Sequence, residues 1–189
     1  YELPPLTITE QIVPTGWRPD GRLFADVQTE GIRGRIKARR GSLEGRVAKT
    51  VDLVRTHPDQ WIVWCGLNDE QEAITELLGD EAVSIAGSDE DAVKERRLMA
   101  FLSGAARVLI TKPKIAGFGL NLQRCSQMAF LGLGDSFEAY YQAIRRCWRF
   151  GQVSPVTVQI VVSEAERGVV DNVKRKETEH HAMAAHLVG

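Results

Sequence analysis

The sequence predicts an α/β sandwich built on a mainly parallel sheet, and three observations predict it. Strand-like runs recur along the chain, at Trp61 to Cys65, Ala82 to Ala86, Arg107 to Thr111, Met128 to Leu133 and Val156 to Val162. Between them lie stretches whose apolar residues recur every three or four positions, the period of an amphipathic helix. Strands apolar on both faces need cover on both faces, which crossover helices supply. Finally, 189 residues with 43% hydrophobic content suffice for one well-filled core and are short for two.

Taken in order, residues 1–26 read as a leading linker and one strand. Pro4, Pro5, Pro14, Gly16, Pro19 and Gly21 punctuate it, and Thr7 to Val13 is the β-branched run between them. Gly31 to Arg40 then carries Arg33, Arg35, Lys37, Arg39 and Arg40 with no acidic residue. This run reads equally as a phosphate-tracking patch or as the exposed face of a helix. Ser42 is the expected N-cap of a helix whose apolar stripe is Leu43, Val47, Val51 and Val54. Further helices are expected over Asp69 to Leu78, Asp89 to Leu102, Ser136 to Arg149 and from Glu164 onward. The main domain is placed at 27–165 and a C-terminal helix or tail at 166–189.

A formal net charge of −1 excludes bulk basicity as the route to nucleic acid, so any such contact must be local. Cys65, Cys125 and Cys147 are odd in number and far apart, which fits buried small hydrophobes in a reducing cytoplasm rather than a disulfide framework or zinc site. His180, His181 and His186 are spaced as metal ligands could be, yet no carboxylate or cysteine completes a site, and no metal is expected. No stretch reaches the apolar length of a membrane span. The chain opens at Tyr1 rather than Met and is read as part of a longer polypeptide.

In parallel sheets ligands gather beyond the carboxyl ends of strands, which directs attention to the loops after Cys65, Ala86, Thr111 and Leu133. The third is the richest: Thr111-Lys112-Pro113-Lys114-Ile115-Ala116-Gly117-Phe118-Gly119-Leu120-Asn121-Leu122. Gly117 and Gly119 allow close backbone approach to a phosphate, and two lysines add charge, although a Gly-x-Gly alone is also an ordinary tight turn. Downstream, Gln142-Ala143-Ile144-Arg145-Arg146-Cys147-Trp148-Arg149-Phe150-Gly151-Gln152 sets Arg146 and Arg149 three apart, so on a helix both guanidinium forks would share a face and reach one polyanion.

The Gln142 to Gln152 segment resembles motif VI of the SWI/SNF-type branch of superfamily 2 helicases and translocases, and Gly117 to Leu122 resembles their motif V. Trp61 to Cys65 is similar to the strand before motif IV, and Ile85-Ala86-Gly87-Ser88 with its charged helix is similar to the Gly-Ser turn and helix beyond that motif. The wording around Lys112 to Gly119 and Arg145 to Gln152 is most similar to phage or bacterial helicases. The resemblance covers Leu3 to Val162 and implies the second, RecA-like lobe of a motor, a three-layer α/β sandwich. It implies that Arg146 and Arg149 are catalytic fingers and that Gln142, Gly117, Gly119 and Asn121 face ATP. Thr111, Lys112, Lys114, Gly87 and Ser88 would contact DNA, with RNA as the alternative. No P-loop and no acidic box occur here, so ATP and Mg2+ would be held mainly by an N-terminal RecA-like lobe of the same polypeptide.

Two positions depart from the family pattern. Pro113 stands where relatives often have Thr, which removes a phosphate contact, and Arg145 stands where remodellers commonly have Asp. Trp148, Phe150, Tyr140 and Tyr141 are read as packing residues. A non-catalytic interaction module with the same fold, or an unrelated nucleotide-binding lobe such as that of a glycosyltransferase, would share much of this pattern.

Overall fold

The computed structural model describes residues 3–14, 33–34, 39–115, 121–134 and 136–187, with side chains as far as Glu179. The strands are β1 Leu6–Val13, β2 Trp61–Cys65, β3 Ala82–Ser84, β4 Val108–Thr111, β5 Gln127–Leu131 and β6 Val156–Ser163. The helices are α1 Leu43–Thr56, α2 Asn68–Leu78, α3 Asp91–Leu102, α4 Phe137–Arg145 and α5 Arg167–Leu187. Among the described residues the strands form one sheet in the order β1-β6-β5-β2-β4-β3. Every pairing is parallel. The expected sandwich is therefore observed, and its sheet is wholly parallel over these strands.

Side-chain alternation sorts the strands into two core layers. Ile62 and Trp64 of β2, Leu109 of β4, Met128 and Phe130 of β5, and Val158 and Ile160 of β6 point to one face. Phe101 of α3, Tyr140 and Ile144 of α4, and Val170 of α5 cover it. Trp61, Val63 and Cys65 point to the opposite face with Ile110 and Leu131, under Val47, Val51 and Val54 of α1 and Ile74 and Leu78 of α2. All five residues of β2 are buried, which explains why its sequence is continuously apolar rather than alternating.

The leading strand is integral to the sheet: β1 pairs with β6 from Leu6–Val156 to Val13–Ser163. Ser42 departs from the expected N-cap role. Its side chain makes no cap bond to the backbone of α1. Instead the hydroxyl donates to the Arg39 carbonyl and accepts from Arg46 Nε. The basic run is also divided, with Arg33 and Arg40 exposed and Arg39 buried, while Arg35 and Lys37 lie outside the described residues. His180, His181 and His186 fall within α5 beyond the described side chains.

A surface clamp closes the amino end of the sheet. Arg107 Nη2 donates to Glu81 Oε2 at 2.7 Å, and Nη1 donates to the carbonyls of Val54 and His57 at 2.9 and 3.0 Å. The hydrogen bond from Arg107, outweighing the opposing effect of burial, holds the Glu81 carboxyl below its usual range. A carboxyl lowered in the folded state contributes stability above its unfolded-state pKa and loses it as pH falls through the folded value. Arg107→Gln is expected to flatten this acid limb, as urea unfolding at stepped pH between the two values would show.

Candidate functional site

Ser136 starts α4 as a working cap, its Oγ accepting from Ala139 N at 3.2 Å. Tyr140, Ala143 and Ile144 are buried, which leaves Gln142 exposed on the outer side. The helix is shorter than the sequence suggests. It ends at Arg145, with Arg146 as an α-conformation C-cap, and one last α-type bond, from Trp148 N to Ile144 O at 2.9 Å, is mixed with tighter turns beyond it. Arg146 N bonds Ala143 O at 3.2 Å, Cys147 N bonds Ile144 O at 3.1 Å, and Arg149 N bonds Cys147 O at 3.1 Å. Arg146 therefore caps the helix and Arg149 belongs to the turn after it, so the two arginines are not one turn apart on a continuous helix. The cause is local: Gly151 at φ 94° and Gln152 draw the chain away towards β6.

Buried anchors hold this turn. Cys147 is fully buried, Gln152 Nε2 donates to the carbonyls of Cys125 and Cys147 at 3.1 and 3.3 Å, and Trp148 Nε1 donates to Pro4 O at 2.8 Å. The Arg145 guanidinium lies 5.5 Å from the Trp148 ring centroid, giving its charge an internal aromatic partner. Arg146 and Arg149 are half-buried, and their side chains make no hydrogen bond or ion pair among the described residues. Phe150 is 73% exposed, contrary to the packing role expected for it. The Cys147 thiol is pushed up by its hydrogen bond with Cys125 and then by burial, and burial pushes the Cys65 thiol up, so both stay protonated at neutral pH.

The loop after β4 runs back against this turn. Leu122 N donates to Arg146 O at 3.3 Å, and Gln123 faces Gly151 so closely that a Cβ there would lie 2.7 Å from Oε1. Asn121 is exposed and its Oδ1 accepts from Gln123 N at 3.2 Å. Gly117 and Gly119 lie outside the described residues. Thr111, expected at the nucleic acid, is only 5% exposed and its hydroxyl donates to Ile85 O at 3.0 Å. Here it ties β4 to the end of β3. Lys112 is half-buried with Nζ bonded to Asn68 Oδ1, while Lys114 is exposed. Gly87 and Ser88 lie in the turn after β3, and Gly87 sits beside Ile115 of the loop after β4.

One cluster is barely marked in the sequence pattern. At the carboxyl ends of β2, β5 and β6, Arg39, Arg46, Glu70 and Glu166 are all buried. Arg39 grips Glu70 with Nη2 at 2.8 Å from both carboxylate oxygens, and Arg46 Nη1 reaches Glu70 Oε1 at 2.9 Å. Glu70 Oε2 also accepts from the Gly66 and Leu67 amides at 2.9 and 3.0 Å, capping α2. Glu166 accepts from Ser163 N and Oγ and lies 3.5 Å from Arg46 Nε. Four charges in the interior are tolerable only because two of each sign share multiple hydrogen bonds.

The cluster dictates its glycines. Arg39 crosses Gly132, whose φ is 80°, and a Cβ at that position would lie 2.6 Å from Arg39 Nη2. Gly132→Ala is expected to cost about 2 kcal/mol or more, from strained backbone and a displaced guanidinium. Urea unfolding measures it; an unchanged midpoint would contradict the packing described.

A parallel sheet of this order, flanked by helices on both faces, defines a RecA-like α/β fold. The chain belongs to the helicase conserved C-terminal domain family, whose model matches residues 45–151, more than half its length. It is 27% identical over 128 residues to the ATP-dependent RNA helicase eIF4A of Yarrowia lipolytica, a match that takes in 66% of this chain and 32% of the relative. The chain thus spans about a third of that relative's length. Its fold is similar to the C-terminal part of the Fun30 ATPase domain, with a TM-score of 0.60 and 17% identity over 68% of this chain and 45% of that one. It is similar as well to the C-terminal domain of the DEAD-box protein Dbp5, with a TM-score of 0.59 and 17% identity over 71% and 79% of the respective chains. A DEAD box protein from Methanococcus jannaschii gives a TM-score of 0.61 and 17% identity over 69% of this chain and 36% of that one.

Proposed function

We propose that this chain is the second motor lobe of an ATP-dependent helicase or translocase, with Arg146 and Arg149 supplying positive charge to a triphosphate held by an N-terminal RecA-like lobe. One observation carries the reading. The hydrogen bond from Leu122 N to Arg146 O and the Gln152 bridge to Cys125 join the two motif segments into one unit, while Arg146 and Arg149 keep side chains without internal partners among the described residues. Backbones held this firmly beside uncommitted guanidinium groups suit recognition of a polyanion from outside.

Phosphoryl transfer spreads negative charge over the transferring group, and a preorganised guanidinium stabilises it with little rearrangement. Gln142, Asn121, Gly117 and Gly119 are assigned to the nucleotide side of the same rim. ATP and Mg2+ would be held mainly by the first lobe, where the ion would neutralise charge on the triphosphate. Lys112, Lys114, Gly87 and Ser88, just beyond the carboxyl ends of β3 and β4, are assigned to the nucleic-acid backbone.

The wording of the two motifs supports membership of the SWI/SNF-type branch, as a phage or bacterial enzyme of the cytoplasm acting on DNA. The eIF4A similarity makes RNA the specific competitor. ATP turnover by the full-length protein, measured in parallel with single-stranded DNA, duplex DNA and RNA, separates the two. Stimulation by DNA is expected; stimulation by RNA alone reassigns the substrate, and turnover indifferent to all three removes the motor reading.

A further inference from the structure

A cleft of about 400 Å³ opens where the chain reverses its direction across the sheet, beyond the carboxyl ends of β2, β4 and β5. Such a topological switch point is where parallel sheets bind ligands, and the volume falls in the range of small-molecule sites. Its inner wall is aromatic. Trp64 stacks on Phe130 with centroids 6.3 Å apart, and Phe130 meets Tyr140 at 4.9 Å. Lys112 and Lys114 line it as well, Lys114 being exposed.

Trp64 is 1% exposed, yet its indole N–H has no hydrogen-bond partner among the described residues. A buried donor without an acceptor is costly and calls for an explanation. The Trp61 indole is also unpaired among the described residues, but it belongs to the opposite core layer under α1 and α2. Trp64 differs because it lines the cleft. The Arg39 guanidinium in the same wall is already matched by Glu70, so the inner cleft presents no unneutralised charge to a phosphate. A neutral donor on an aromatic wall, with lysines beside it, fits a neutral ring bearing carbonyl or ring-nitrogen acceptors and joined to an anion.

We propose that this cleft takes up one unstacked base of the bound nucleic-acid strand, its edge accepting from the Trp64 indole N–H and its flanking phosphates meeting Lys112 and Lys114. The inference rests on the nucleic-acid reading of the motor lobe and adds a contact to the bases, which tracking of the backbone does not require.

The test is an abasic scan with the full-length protein: oligonucleotides carrying one abasic site at successive positions, with affinity measured for each. One register is expected to lose roughly tenfold, the size of a stacked and hydrogen-bonded base. At that register difluorotoluene, a thymine isostere with poor acceptors, should lose severalfold relative to thymine. Trp64→Phe should erase the difference between the two, whereas Lys114→Ala should weaken all substrates alike. A flat scan, with binding still sensitive to salt and to Lys114, overturns the base site and leaves the motor reading standing. Absence of nucleic-acid binding at low salt overturns both. If Trp64→Phe does not fold, equal binding of thymine and difluorotoluene by the unaltered protein is decisive against the proposal.

Discussion

Replacing Arg146 or Arg149 by Ala in the full-length protein is expected to lower nucleic-acid-stimulated ATP turnover by roughly a thousand-fold to a hundred-thousand-fold. That range is what a guanidinium contributes when it meets charge developing in the transition state, about 4 to 7 kcal/mol of barrier. The lobe itself should hardly notice the loss. Neither side chain bonds to the described residues, and partly exposed positions without such features usually shift stability by no more than about 0.5 kcal/mol. Lysine should not rescue, because a point charge on a flexible stem does not reproduce the planar fork. Steady-state turnover paired with thermal unfolding of each variant gives both quantities. Variants that stay folded and keep near-normal turnover would refute the assignment.

The second large effect concerns stability. Glu70→Ala removes the carboxylate shared by Arg39, Arg46 and the Gly66 and Leu67 amides just before α2, leaving two buried cations facing only Glu166. Breaking a buried ion pair on one side costs about 3–5 kcal/mol, against a total stability of about 5–15 kcal/mol for an ordinary domain. A marginal lobe would unfold outright. Desolvation, rather than lost attraction, dominates this figure, and it makes an asymmetry testable. Replacing Arg39, Arg46, Glu70 and Glu166 together by apolar residues of similar volume should destabilise far less than Glu70→Ala alone. Urea midpoints of the two variants decide it, and a quadruple variant worse than the single one would show that hydrogen-bond geometry, not charge burial, governs the cluster.

Legibility in the sequence follows the range of the interactions. Strands such as Trp61 to Cys65 announce themselves because burial on both faces demands apolar residues at every position, a local signal. The pairing of Thr7 to Val13 with β6 involves residues far apart in the chain, and only its propensity shows. Nothing local marks the backbone hydrogen bond between Leu122 and Arg146, and the helix expected through Arg149 is too long. Glutamine, alanine and arginine favour helix up to Trp148, and the break comes from downstream, where Gly151 turns and Gln152 anchors to Cys125. Thr111 is placed at the nucleic acid by family resemblance alone, and nothing in the sequence shows that its hydroxyl is engaged by the Ile85 carbonyl. Arg39 and Arg46 carry no mark of their burial, since four charges meeting at one point depend wholly on topology. The acidic residues opening α2 are a faint local hint, for Glu70 sits where a helix start favours a carboxylate.

Arg146 and Arg149 are expected to point across a cleft at a triphosphate cradled by another lobe. A structure of the full-length protein with nucleic acid and the transition-state mimic ADP–aluminium fluoride tests this. Both guanidinium groups are predicted within about 3 Å of the fluoride or phosphate oxygens. Side chains turned back onto their own lobe, with the mimic contacted only from the other side, would contradict the account.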